Sequence, residues 1–117
     1  MFIYEANEMK LAVIGSRSLT KIELEKYIPS EATEIVSGGA NGIDTLAKDF
    51  ADRRGIKLTE FLPEYNRYGK AAPLRRNEKI AKYSDEAIAF WDGKSKGTKY
   101  TIELFRGLNK KIEVHII

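Results

Sequence analysis

The chain has 117 residues, 43% of them hydrophobic and 32% charged, with a formal net charge of +3. That length suits one domain spanning 1–117 with a core of its own, and the mixture excludes disordered, collagen-like and disulfide-framed classes. With no cysteine and a single histidine, His115, thiol catalysis, thiolate metal sites and histidine clusters are excluded, so no metal or cofactor is expected.

The predicted elements follow in chain order. Residues 1–10 lack the basic-then-apolar pattern of a secretion signal. Met9-Lys10 reads as a start just ahead of the first strand, which makes 1–8 an extension or a short extra strand. Residues 10–15 (KLAVIG) form an apolar run ending in glycine and predict a buried strand. Thr20 and Glu23 make a T-x-x-E capping box ahead of Leu24, Tyr27 and Ile28, so a helix is expected there until Pro29 stops it. Residues 33–37 (TEIVS) predict the second strand. Ile43, Leu46, Ala47, Phe50 and Ala51 then recur at helical spacing, the clearest helix signal in the chain, and Gly55 ends it.

Residues 56–62 predict a third strand and 63–71 (PEYNRYGKA) a loop. Pro73 opens a helix running to about Ser84. Residues 86–91 (EAIAFW) are the fourth strand and 92–97 (DGKSKG) a loop. Thr101, Leu104, Phe105 and Leu108 mark the last helix, and 111–117 (KIEVHII) the last strand. No apolar run is long enough to span a bilayer, so the expectation is a cytoplasmic protein with no membrane partner. Strands alternating with helices predict an α/β, Rossmann-like three-layer fold: a parallel sheet of about five strands with helices on both faces.

In such sheets ligands bind beyond the carboxyl ends of the strands. Three loops there combine glycine with hydroxyl or basic side chains: Gly15-Ser16-Arg17-Ser18, the turn from Ser37 to Asp44 (SGGANGID), and Gly93 to Thr98 (GKSKGT). Each leads into a helix, whose first N–H groups and dipole attract an anion. Glycine lets the backbone approach a phosphate, and Arg17 adds a guanidinium. The dinucleotide pattern G-x-G-x-x-G is absent, and Ile88 stands where a P-loop needs its first glycine.

Other candidates each have an ordinary reading. Asp44 serves the helix dipole or a turn, or else a ligand hydroxyl. Asn77 falls on the inner stripe of its helix and needs partners there. Trp91 is expected to pack, and Tyr65 and Tyr68 sit on a surface loop with the alternative of stacking on a base. His115 reads as an edge or capping residue. No pair of catalytic carboxylates stands out. Between Arg67 and Lys82 the bases Arg67, Lys70, Arg75, Arg76, Lys79 and Lys82 face a single acid, Glu78, which suits an anion or a solvated helix face.

Together, G-S-R after the first strand, S-G-G-A-x-G-x-D after the second, R-N in the third helix and S-x-G-T after the fourth strand resemble the SLOG superfamily. That group unites the DNA-processing protein DprA (Smf) with the LOG cytokinin-activating proteins, and the nearest likeness is to its small, single-domain YpsA/YspA-like branch. The resemblance implies a nucleotide or nucleotide-derived ligand held by Gly15, Ser16 and Arg17; by Ser37, Gly38, Gly39, Ala40, Gly42 and Asp44; by Arg76 and Asn77; and by Ser95, Gly97 and Thr98. LOG phosphoribohydrolases resemble G-G-x-G-T-x-x-E in the last motif. Here Thr101 takes the glutamate position and Glu103 lies two residues on, which turns it to another helix face. Three readings stay open: a nucleotide-binding module in a sensing role, a LOG-like N-glycosidic hydrolase of nucleoside monophosphates, and a DprA-like binder of single-stranded DNA. The last helix and exposed aromatics also lead to the expectation of a homodimer.

Overall fold

The computed structural model describes residues 8–117; the suggested extension at 1–8 thus lies, except for Glu8, outside the described residues. Along the chain come β1 (Lys10–Gly15), a 3₁₀ turn (Leu24–Lys26), β2 (Glu34–Ser37), α1 (Ile43–Arg54), β3 (Lys57–Glu60), α2 (Tyr65–Tyr68), a second 3₁₀ turn (Gly69–Ala71), α3 (Ala72–Tyr83), β4 (Glu86–Trp91), α4 (Lys96–Gly107) and β5 (Ile112–Ile116). The strands form one sheet in the order β3-β2-β1-β4-β5, every pair parallel.

Side-chain alternation explains the layers. In β1, Leu11 and Val13 face one side and Ala12 and Ile14 the other. The first face is covered by α1, through Ile43, Ala47, Phe50 and Ala51, and by Leu24 of the 3₁₀ turn. The second is covered by α3 and α4, through Ile80, Ala81, Ile102 and Phe105. Both faces of the central strands are therefore dry, as their unbroken apolar runs require. The result is a Rossmann-like three-layer fold. No helix among the described residues is long and apolar enough to cross a membrane.

Some expectations need correction. The helix after Thr20 shrinks to the three-residue 3₁₀ turn. Thr20 does not cap it, Glu23 makes no cap hydrogen bond, and the Glu23 carboxylate instead pairs with Lys26 at 3.0 Å. Only Leu24 is buried there, and Pro29 follows too soon for a longer helix to repay its nucleation. Residues 63–71, expected as loop, carry α2 and the second 3₁₀ turn. The third strand is shorter than 56–62. The last helix begins at Lys96, because Ser95 caps it by accepting the Thr98 N–H at 3.3 Å.

The far end of α3 has an unusual cap. Lys110 Nζ donates to the carbonyls of Ala81, Lys82 and Ser84 at 2.7, 2.9 and 2.7 Å. The last carbonyls of a helix have no intrahelical partner and favour a cation. Lys110→Met should lower stability by about 1–3 kcal/mol, read in urea unfolding. An unchanged midpoint would mean that water satisfies these carbonyls equally well.

Candidate functional site

Strand connections run one way from β1 to β2 and β3 and the other way from β4 to β5. The loops after β1 and β4 thus diverge, and a crevice opens between them. It is a cleft of about 400 Å³ at the carboxyl ends of β1, β2 and β4.

Gly15 ends β1 where three elements meet. A Cβ there would stand 2.6 Å from the Phe90 carbonyl oxygen and against the Ile43 side chain. Ser16, 1% exposed, donates its N–H to Phe90 O at 3.1 Å, and its Oγ accepts the Asp92 N–H at 3.2 Å. The loop after β1 is thereby tied to the loop after β4. Ser18 strengthens the tie by donating to Asp92 Oδ2 at 3.3 Å. Arg17 stays exposed at the rim.

The loop after β2 packs on the first loop. Gly42 has φ 74° and lies so close that a Cβ would be 2.5 Å from the Arg17 carbonyl oxygen. Asp44 Oδ2 accepts the Ala40 N–H at 3.0 Å, and buried Ser37 Oγ accepts the Gly39 N–H at 3.4 Å. Arg76 reaches this loop from α3. It is 7% exposed, with Nη1 donating to Gly38 O at 2.6 Å and Nε to Asn77 Oδ1 at 2.8 Å. A Cβ on Gly38 would strike that guanidinium at 2.5 Å. This bond also orients the Asn77 amide, whose NH₂ end is left as a donor.

The loop after β4 is organised by Asp92. Its Oδ1 accepts the N–H groups of Lys94 and Ser95, each at 2.8 Å. Ser95 Oγ lies 3.1 Å from Thr98 Oγ1, and Thr101 Oγ1 donates to Gly97 O at 2.9 Å.

The electrostatics are mixed. Burial pushes the Asp44 carboxyl up, against the Ala40 N–H and the Arg76 charge, which pull it down. Burial also lowers the Arg76 guanidinium, with Asp44 opposing the shift and Arg17 adding to it. The Ser95 and Lys94 N–H groups hold Asp92 below the usual carboxylate range. The cleft presents cationic and anionic groups side by side.

The structure brings most of the expected site residues together. Gly15, Ser16, Arg17, Gly38, Ala40, Asp44, Arg76, Asn77, Ser95, Gly97 and Thr98 line the one cleft. Ser37, Gly39 and Gly42 do not; they shape the loop behind its wall. Thr101, also at the cleft, is 2% exposed, whereas Glu103 faces solvent. Asp92 went unnoticed in the sequence, although Asp-Gly-x-Ser after a strand carries the signature of an Asx turn.

Several other candidates lie outside the lining. Trp91 packs against the core and donates Nε1–H to Ser95 O at 3.0 Å. Tyr68 sits beneath Arg67 and Lys79. His115 lies on edge strand β5, with its ring against Tyr27 and Phe90. The basic stretch is partly matched by acids: Arg75 pairs with Glu78, and Arg67 and Lys79 with Glu64.

Residues 9–68 match the family model described as YspA, cpYpsA-related SLOG family (YAcAr). The matched span runs from just before β1 through the glycine turn and α1 to the end of α2. No curated protein and no solved structure matches the chain.

Proposed function

This chain belongs to the YspA, cpYpsA-related SLOG family, and from that membership and the cleft we propose that it binds a nucleotide or nucleotide-derived small molecule. The carrying observation is the convergence of two guanidinium side chains, Arg17 and Arg76, with the amino end of α4 around one crevice. Within that helix start, Asp92 takes the N–H groups of Lys94 and Ser95, and Ser95 Oγ takes that of Thr98. The N–H groups of Lys96 and Gly97 remain for an anion. These N–H groups and the Arg17 guanidinium are the donors that a phosphate would use.

The same cleft holds carboxylates, which repel a bare phosphate and accept from hydroxyls. Asp44 therefore suits the sugar of a nucleotide, and Arg76 compensates its buried charge. A ligand with both an anionic end and a hydroxyl-bearing end meets both needs. A sensing role follows if the ligand is a signal and no reaction ensues.

The hydrolase reading loses its carboxylate at Thr101, whose hydroxyl is already committed to Gly97 O. With AMP the expected result is binding without release of free base, checked by chromatography of the incubated nucleotide. The DNA-binding reading draws on a basic stretch whose charges are partly spent on Glu64 and Glu78.

The direct test is thermal shift and calorimetry with AMP, ADP and ADP-ribose. Arg17→Ala removes an exposed side chain, so folding should not change, while affinity falls about tenfold, a typical loss for one charge-assisted contact. No stabilisation by any of the three ligands would sink the reading.

A further inference from the structure

Among the described residues β5 pairs with β4 alone and forms one edge of the sheet. The Lys111 carbonyl accepts from the Ala87 N–H at 3.0 Å, and the Ile117 N–H donates to Trp91 O at 2.9 Å. By strand alternation, Glu113 and His115 also turn their backbone groups toward β4. Ile112, Val114 and Ile116 then turn theirs outward.

The two edges of the sheet differ. β3 carries a charged residue at each end, Lys57 and Glu60, both exposed. Such charges discourage another strand from pairing. β5 ends in isoleucines and has neither proline nor lysine between Ile112 and Ile116; its exposed charge, Glu113, lies inside the strand. Ile116 and Ile117, at its end, are 71% and 53% exposed. Ile112 and Val114 already pack against the core cluster around Phe105. The outward row of this strand is a ready template for one more.

We propose that the strand it takes is β5 of a second copy of this chain, paired antiparallel about Val114 so that one sheet runs through both copies. The register follows from pairing the strand over its whole length, Ile112–Ile116, and from charge. A two-fold axis perpendicular to the sheet keeps each face on its own side, so opposed residues must share a face. The axis then passes through a residue pair of one kind. Centred on Glu113 it sets Glu113 against Glu113, and centred on His115 it sets His115 against His115. Centred on Val114 it sets Glu113 against His115 twice and Ile112 against Ile116 twice.

Opposite charges and apolar pairs directly across a strand pair are favourable, and like charges are not. The geometry adds to this. Outward-turned Ile112, Val114 and Ile116 supply the hydrogen-bonded pairs, which leaves Glu113 and His115 in the closer, non-hydrogen-bonded positions. His115 Nε2 is buried without a hydrogen-bond partner, 3.3 Å from Glu113 Oε2 of its own chain. Pairing sets the second copy's Glu113 beside the half-buried His115 ring.

Sedimentation velocity of the full chain over a range of concentrations tests this. The expected species has twice the chain mass of 13.3 kDa. Val114→Pro removes an outward N–H that β4 does not use, a change that edge strands tolerate. It should return the chain to monomer. Glu113→Lys should raise the dissociation constant about tenfold, by placing like charges opposite each other when His115 is protonated and removing the attraction when it is not. Adding His115→Glu to Glu113→Lys restores opposite charges across the axis and should restore the dimer. A monomer at every concentration would overturn the proposal. So would a dimer indifferent to Glu113→Lys, or one that persists in a folded Val114→Pro protein.

Discussion

Gly42→Ala should destabilise the protein by about 3 kcal/mol or more and take the cleft with it. Gly42 caps α1 with φ 74° and ψ −124°, a backbone conformation close to glycine-only. Strain is only the first part of the cost. A Cβ would lie 2.5, 2.7 and 2.8 Å from the carbonyl oxygen, carbonyl carbon and Cα of Arg17. All three are backbone atoms, so no side chain can swing aside. The loop after β1 has to move, and Ser16 and Ser18 are its ties to Asp92. A displacement there spreads from the β2 loop through the β1 loop to the β4 loop. Gly55→Ala is the matched control: φ is 65°, but its Cβ meets nothing within 4 Å. That variant should lose only about 1 kcal/mol, the strain of a left-handed alanine. Urea unfolding of the pair separates strain from collision. Equal losses would show that the contact with Arg17 yields easily.

How far the molecule could be read from its sequence depended on the range of the forces involved. The stripe from Ile43 to Ala51 needs only neighbours three and four residues apart, and it became α1. The runs KLAVIG and EAIAFW became the central strands, because a strand covered on both faces shows as unbroken apolarity. The loops at the strand ends were visible through their glycines. Their partners were not. Arg76 meets Gly38 across 38 positions, and Asp92 meets Ser16 across 76. Nothing local announces such pairs. Asp92 in particular serves three donors by folding back on its own turn and reaching over the sheet. The capping box at Thr20 misled for the opposite reason. Its residues stand at the right spacing, but the box does not form, and only Leu24 is buried to anchor a helix. The strand order, which creates the crevice, came from crossover geometry and carries no motif.

The Arg76–Asp44 relation shows why the site is built from two such distant pieces. Arg76 is buried yet fastened to the Gly38 carbonyl, and its charge works against the desolvation of Asp44. Each charge is tolerated because the other is near. The β2 loop is thus held open from α3, and the glycine at 38 leaves the space in which the guanidinium sits. Preorganisation of this kind removes loop ordering from the cost of binding.

Gly97→Ala should show the opposite balance to Gly42→Ala: a fold as stable as before or better by about 0.5–1 kcal/mol, with nucleotide binding weakened by about 100-fold. Gly97 lies in the first turn of α4, its φ is not left-handed, and a Cβ there would meet nothing within 4 Å. Neither backbone conformation nor packing within the protein calls for glycine, and in a helix glycine is inferior to alanine. Gly97 does line the cleft, beside the N–H groups of Lys96 and its own that the Asp92 and Ser95 bonds leave over. If the cleft takes a phosphate as proposed, a methyl group at this point occupies the space through which it reaches them. The absence of a side chain is then explained by what approaches from outside. Gly107→Ala, in the last turn of the same helix and also facing open space, should gain similar stability and leave affinity for AMP and ADP-ribose unchanged. Calorimetry and thermal melts of both variants against the parent decide the matter. If Gly97→Ala binds as the parent does, the anion sits elsewhere in the cleft, and the weight of the site shifts to Arg17 and Arg76.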